Sequence, residues 1–178
     1  MFMIEWEGVE PNMLCLGKGF GSGMPASALA GEAKIFECMD RGEMSSTTGG
    51  NPLASAASLA VLDVLENEEL PQNALKVGEY LLNRLKELQK IHPLLGDVRG
   101  KGLVMGLEII EEQESKKPSS ELTQKIIFRC GEYGMLLGRV GFYGNVIRIA
   151  PPLVITEEEA EIGVEIMDKA LTEIENEF

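Results

Sequence analysis

Leu14-Cys15-Leu16-Gly17-Lys18-Gly19-Phe20-Gly21-Ser22-Gly23-Met24-Pro25 is the stretch on which the reading of the fold turns. Residues 13–16 form a short continuous apolar run of the kind found in buried strands of parallel sheets. The run ends in a glycine-flanked lysine. A lone ammonium in such surroundings is expected to be partly desolvated, and desolvation disfavours the charged form, so that the amine becomes a nucleophile near neutral pH. The alternative for Lys18 is an ordinary surface lysine in a turn. The spacing in Gly19-Phe20-Gly21-Ser22-Gly23 fits neither a Walker loop nor a dinucleotide fingerprint.

Outward from this stretch, Met1 to Pro11 is an irregular acidic lead-in. Ala26 to Ala30 is a second apolar run and Glu32 to Met39 a brief helix. Asp40 to Gly50 is a loop rich in Gly, Ser and Thr. Pro52 fits the first turn of a helix, where its missing N–H costs nothing, and the Ala/Leu/Val pattern carries that helix to Leu65. Leu70, Ala74, Val77, Tyr80, Leu81, Leu85 and Leu88 recur three or four apart and predict an amphipathic helix over 68–90. Val98 to Ile110 reads as strand interrupted at Gly100 and Gly102. A polar loop over 113–120 precedes a helix over 121–133, which Gly134 ends as a left-handed cap. Met135–Leu137 and Val146–Ile149 read as strands. Thr156 caps a last helix with Glu157 to Glu159 in its first turn. The acid-rich final twenty residues are expected to form its solvated face.

Strand, turn and helix up to residue 62 resemble the tail of an α/β domain. Residues 63–178 resemble a compact α+β domain.

The chain has 178 residues, of which 44% are hydrophobic, enough for one domain and part of another. With 16 basic and 29 acidic residues the net charge is −13, which argues against nucleic acid or an anionic membrane as partner. Small molecules and other protein subunits are expected instead. Cys15, Cys38 and Cys130 are widely spaced and have no nearby histidines, so neither a disulfide framework nor a metal site is expected, and a reducing cytoplasm fits. No apolar stretch reaches transmembrane length. His92, the only histidine, is expected to be a loop residue before Pro93.

Lys18, the turn Ser46-Thr47-Thr48-Gly49-Gly50-Asn51-Pro52 and Arg148 in Gly144-Asn145-Val146-Ile147-Arg148-Ile149-Ala150-Pro151-Pro152 form an ordered triplet. In these motifs, and from Met1 to the C-terminus, the chain resembles the C-terminal half of the class III, or ω-amino acid, aminotransferases that use pyridoxal phosphate. The 4-aminobutyrate branch is the nearest resemblance. It implies a fold type I transferase, with 1–62 the end of the large cofactor-binding α/β domain and 63–178 the small α+β domain.

The resemblance further implies that Lys18 forms the Schiff base with the cofactor and shuttles a proton. It gives Thr47 the cofactor phosphate, reached across a dimer, with Thr48 a weaker candidate. Arg148 would hold a substrate carboxylate, to which a planar guanidinium is suited. From the residues alone, a structural ion pair is equally open for Arg148. Arg99, in Asp97-Val98-Arg99-Gly100-Lys101-Gly102, also falls on a family pattern, and a structural role at a domain junction is expected for it.

The implied reaction moves an amino group from an ω-amino acid, with 4-aminobutyrate the first choice, to a 2-oxo acid such as 2-oxoglutarate. A racemase or an ornithine- or acetylornithine-type transaminase on the same scaffold is the rival. A non-catalytic fragment for subunit association is another. No acidic residue here takes the place of the family aspartate that keeps the pyridine nitrogen protonated. The chain is therefore expected to be a C-terminal piece, inactive alone, whose exposed apolar surface calls for the missing half or a second copy.

Overall fold

The computed structural model describes residues 1–40 and 42–177; position 41 of the expected 40–50 loop and the last residue lie outside this range. The chain divides into two compact units, Met1–Leu70 and Pro71–Phe178.

In the first unit, a 3-10 turn (Met3–Glu7) precedes β1 (Met13–Leu16), and a second 3-10 turn (Lys18–Gly21) leads on to β2 (Ala28–Gly31). Then come α1 (Ala33–Phe36) and α2 (Pro52–Asn67). Pro52 opens α2 as expected, and the Oδ1 of its cap Asn51 accepts the Ala54 N–H at 3.0 Å.

One expectation fails here. β1 pairs antiparallel with β2, from Met13 opposite Gly31 to Leu16 opposite Ala28, and none of its residues is buried. The run is an amphipathic ribbon strand. Four apolar residues carry no periodicity that separates a ribbon from a buried parallel strand, and the local return of the chain decided the pairing. Before Leu70, only Gly21, Ala54 and Ser58 are buried among the described residues, while Met3, Val9, Met13, Leu53 and Leu59 are exposed.

The second unit owns the core. It contains α3 (Leu70–Ile91) from its second residue on, β3 (Leu95–Lys101), β4 (Val104–Ile109), α4 (Ser120–Glu132), β5 (Gly138–Val140), β6 (Val146–Ile149) and α5 (Glu157–Glu175). The four strands form an antiparallel sheet in the order β3-β4-β6-β5. Its buried face carries Val98, Leu107, Ile109 and Ile147, packed with Leu81 and Leu85 of α3, Ile126 of α4 and Met167 and Leu171 of α5. Of the two interruptions expected, Gly102 lies in the β3–β4 turn with φ +56°, whereas Gly100 continues β3 opposite Met105.

The expected strand 135–137 lies instead at 138–140. The N–H of Met135 closes the end of α4 on the Cys130 carbonyl (2.9 Å), and pairing begins only where Gly138 stands opposite Arg148. Gly134 takes φ +89°, as a left-handed cap should. The capping box at Thr156 is complete: its Oγ1 accepts from the Glu159 N–H (3.2 Å), and Glu159 Oε2 accepts from the Thr156 N–H (3.0 Å).

His92 does leave α3 in a connection, but it is buried. Its Nε2 lies 2.8 Å from Asp168 Oδ1 and its Nδ1 2.8 Å from Glu175 Oε2. The tail's acidity is therefore not all solvated: Glu173 also accepts from the Tyr133 hydroxyl (2.5 Å) and pairs with Arg129.

Candidate active site

Lys18 stands at the first position of the turn that leaves β1, with φ +55°. For a residue with a Cβ this left-handed backbone costs about 1–2 kcal/mol, and such strain persists only where the surroundings impose it. Gly17 and Gly19 flank it, and a Cβ at either would meet nothing within 4 Å, so the backbone around the lysine is uncluttered. The side chain is exposed, and the ammonium has no partner among the described residues. This chain does not itself supply the desolvation expected of Lys18.

Helix α2 packs against the Lys18–Gly21 turn. At the start of α2 lies a concavity of about 920 Å³, lined among others by Phe20, Ser27, Thr48, Asn51, Ser55 and Ser58. Among the described residues its wall includes no acidic and no basic side chain. The loop before the helix is ordered by its own side chains: Gly49 N–H donates to Ser46 Oγ (3.0 Å) and Asn51 Nδ2 to the Thr48 carbonyl (3.0 Å). Thr48 lines the concavity, whereas Thr47 is exposed and is not part of the wall, nor is Lys18. Sequence reasoning singled out the Thr-Gly-Gly turn but missed Ser27, Ser55 and Ser58, whose serines in an Ala-rich helix and an apolar run were the available signal.

Arg148 belongs to the second unit, on β6. It is exposed and has no hydrogen bond or ion pair among the described residues, so the structural ion pair left open by the sequence is not formed. Exposure removes the desolvation cost that an unpaired arginine in a strand would otherwise incur. Arg99, on β3, donates from one Nη to Asp97 Oδ2 (2.5 Å) and Glu108 Oε2 (3.1 Å). These carboxylates raise its pKa from the ordinary guanidinium value, Asp97 more than Glu108. Among the described residues no group of three or more His, Cys, Asp or Glu side chains is arranged to hold a metal ion. No described helix is long and apolar enough to cross a membrane.

The family described as aminotransferase class-III matches this chain over residues 1–171. The chain is 45% identical over 170 residues to the alanine/serine racemase of Pyrococcus horikoshii, covering 96% of this chain and 35% of that protein. It is 42% identical over 171 residues to an ornithine aminotransferase of Exiguobacterium, covering 96% and 39%. It is 38% identical over 173 residues to the 5-aminovalerate aminotransferase of Pseudomonas aeruginosa, covering 97% and 41%. Among solved structures, an amine transaminase from an uncultivated Pseudomonas species in its PLP-bound form matches with a TM-score of 0.87 at 32% identity, over 95% of this chain and 40% of that one. The chain thus spans about 35 to 41% of the length of these relatives.

The family depends on pyridoxal phosphate and has the fold type I architecture. The residues on hand fit such a group. An aldehyde needs a free primary amine, which Lys18 offers, and a phosphate dianion needs hydroxyl and N–H donors with no opposing carboxylate, which the wall around Thr48 offers. The fold, the family-wide match and this donor set agree that the chain belongs to the class-III aminotransferases.

Proposed function

We propose that the chain carries the lysine and the terminal domain of a pyridoxal-phosphate enzyme that moves an amino group from an ω-amino acid to a 2-oxo acid. The donor we favour is 4-aminobutyrate and the acceptor 2-oxoglutarate. The observation that carries the reading is Lys18: an amine without a partner among the described residues, on a strained left-handed turn packed by α2, beside a hydroxyl-lined concavity whose described wall has no carboxylate. The similarity to a 5-aminovalerate aminotransferase supports an ω-amino donor.

Pyridoxal phosphate, when bound, supplies the aldehyde that captures the amino group and a ring that accepts the electron pair left as the proton departs. Lys18 Nζ takes that proton from the substrate carbon and returns it elsewhere. Thr47, whose side chain has no partner among the described residues, donates its hydroxyl to the phosphate in a neighbouring subunit of a homodimer. Arg148 pairs with the substrate carboxylate through two N–H donors. We assign residues 1–62 to the end of the large domain and 63–178 to the small domain. We place the enzyme in a reducing cytoplasm, where the free thiols of Cys15, Cys38 and Cys130 persist.

A second reading is favoured by the 45% identity to an alanine/serine racemase. There a proton would return to the carbon it left from the opposite face, so that the configuration inverts, with Lys18 acting on one of the two faces.

Pyridoxal phosphate added to the 178-residue chain, with and without the remaining portion of a class-III relative, tests the lysine. A visible absorption band is expected that is absent in Lys18→Ala. Its persistence in that variant, or its failure to appear in the native sequence even with the added portion, would sink the proposal. In the reconstituted enzyme, 2-oxoglutarate-dependent consumption of 4-aminobutyrate supports transfer. Formation of D-alanine from L-alanine without any oxo acid supports the racemase.

A further inference from the structure

We propose that Arg99 and Asn145 are positioning residues for Arg148: they occupy Glu108 and so, together with Gly106 and Gly138, keep the Arg148 guanidinium open to an incoming carboxylate. The inference rests on the reading of Arg148 as a carboxylate clamp and deepens it.

The register supplies the first observation. Arg99, Gly106, Arg148 and Gly138 stand directly opposite one another across β3, β4, β6 and β5. They therefore project from one face of the sheet, the face opposite to that of Leu107 and Ile147. Both cross-strand neighbours of Arg148 are thus glycines. A Cβ at Gly138 would meet nothing within 4 Å, and one at Gly106 only Val146 Cγ1, at 3.2 Å. Side chains directly opposite in a sheet normally cover each other's flanks. Here both flanks of the guanidinium stem are bare.

Glu108 supplies the second. It stands opposite Val146, one same-face step from the Gly106–Arg148 pair, and is therefore the diagonal neighbour of Arg148 on β4. Diagonal positions lie about 7–8 Å apart, within reach of two long side chains of opposite charge. The pair nevertheless does not form. Glu108 Oε2 accepts from Arg99 at 3.1 Å, and Oε1 accepts from Asn145 Nδ2 at 3.4 Å. Asn145 is buried, and the same amide nitrogen is anchored on the Ile109 carbonyl at 3.1 Å. Arg99 is itself steadied by Asp97. The other charged groups on this face are Asp97 and Lys101, both on β3, two strands from Arg148.

The outcome sets Arg148 apart from the other described arginines. Arg84, Arg99 and Arg129 each hold carboxylates, and Arg139 donates to Ser120 Oγ at 2.7 Å. Arg148 alone among them is left with its full set of donors for a ligand.

The test measures how fast phenylglyoxal modifies each arginine of the 178-residue chain, followed by peptide mass spectrometry, with glutarate as the carboxylate probe. Arg148 should react faster than Arg84 and Arg129, and glutarate should slow it. In Arg99→Gln, Glu108 is released towards Arg148, whose rate should fall about two- to fivefold, the range an exposed ion pair supports. The double variant Arg99→Gln/Glu108→Gln should restore the native rate, which a folding defect at Arg99 would not allow. An Arg148 rate unchanged in Arg99→Gln, or a double variant as slow as the single one, overturns the proposal. A reactivity pattern that follows this expectation in a chain lacking the lysine-dependent absorption band would uphold the arrangement while removing the enzyme reading. The reverse result would remove the arrangement alone.

Discussion

The Arg84 guanidinium meets the Glu161 carboxylate in a two-point contact between α3 and α5, with Nε to Oε2 at 2.8 Å and Nη2 to Oε1 at 2.6 Å. The Tyr80 hydroxyl donates to the same Oε2 at 2.7 Å. Arg84 first and Tyr80 second draw the Glu161 pKa down to about 2 from the ordinary glutamate value of 4.5. A depressed carboxyl contributes stability that is fully present above its unfolded value and is lost as pH falls through its folded one. The second unit should therefore lose stability between about pH 4.5 and 2 in a step that Arg84→Met weakens. At neutral pH that variant should cost about 1 kcal/mol, because the pair is bidentate yet partly solvated. Urea denaturation followed by far-UV circular dichroism at a series of pH values checks both numbers. A native-like acid profile in Arg84→Met would count against the pairing.

Gly78, in the middle of α3, reverses an ordinary rule. Replacing a helix-interior glycine by alanine usually stabilises by about 0.5–1 kcal/mol. Here an added Cβ would lie 2.1 Å from the Gly102 carbonyl oxygen in the β3–β4 turn, and backbone on both sides leaves nothing flexible to give way. Gly78→Ala should push α3 off the sheet and destabilise the unit by about 1–3 kcal/mol, the usual toll of overpacking. Thermal denaturation gives the sign, and a stabilised variant would contradict the close approach.

Removing a helix cap tests a feature that the sequence announced. Thr156→Ala deletes the Oγ1 that accepts the Glu159 N–H, while Glu159 retains its bond to the residue 156 N–H. The loss should be about 1 kcal/mol. Thr156→Ser should recover most of it. Comparison of the two variants by urea titration separates the hydroxyl from the methyl group.

The sequence made the second unit legible because long periodic segments with matching caps leave few choices. The 3.6-residue spacing of Ala74, Val77, Leu81, Leu85 and Leu88 predicts a helix, and all five are buried. Val146–Ile149 and the Pro52 and Thr156 helix starts lie where the residues suggested. Short apolar runs were less informative. Residues 13–16 gave no periodicity to tell ribbon from parallel strand, and Met135–Leu137 belonged to a helix terminus whose closing bond only tertiary structure reveals. His92 went unrecognised because its partners, Asp168 and Glu175, lie more than seventy residues away in sequence. For the candidate site, the glycines around Lys18 and the Thr-Gly-Gly turn were visible as composition. The Gly106–Arg148–Gly138 row was not, because it exists only once three strands are in register.

The two units should differ sharply in amide hydrogen exchange. In the first, β1 and β2 form a two-stranded ribbon with no buried residue, and α2 leaves Leu53, Leu59 and Val64 exposed while burying only Ala54 and Ser58. An isolated ribbon of this size is marginal in water. In the second, β4 and β6 place Leu107, Ile109 and Ile147 at 0% exposure beneath helices whose Met167 and Leu171 are equally closed. Amides of β4, β6 and α5 should therefore exchange at least about a hundredfold more slowly than those of β1 and β2, the factor that about 3 kcal/mol of additional opening free energy provides. Leu171→Ala, which empties a fully buried site at a cost of about 2–5 kcal/mol, should erase most of that protection while leaving the ribbon's rates unchanged. Mass spectrometry of the exchanging chain reads both effects. Equal protection in the two units of the native chain would mean that the ribbon draws its stability from something other than its own packing.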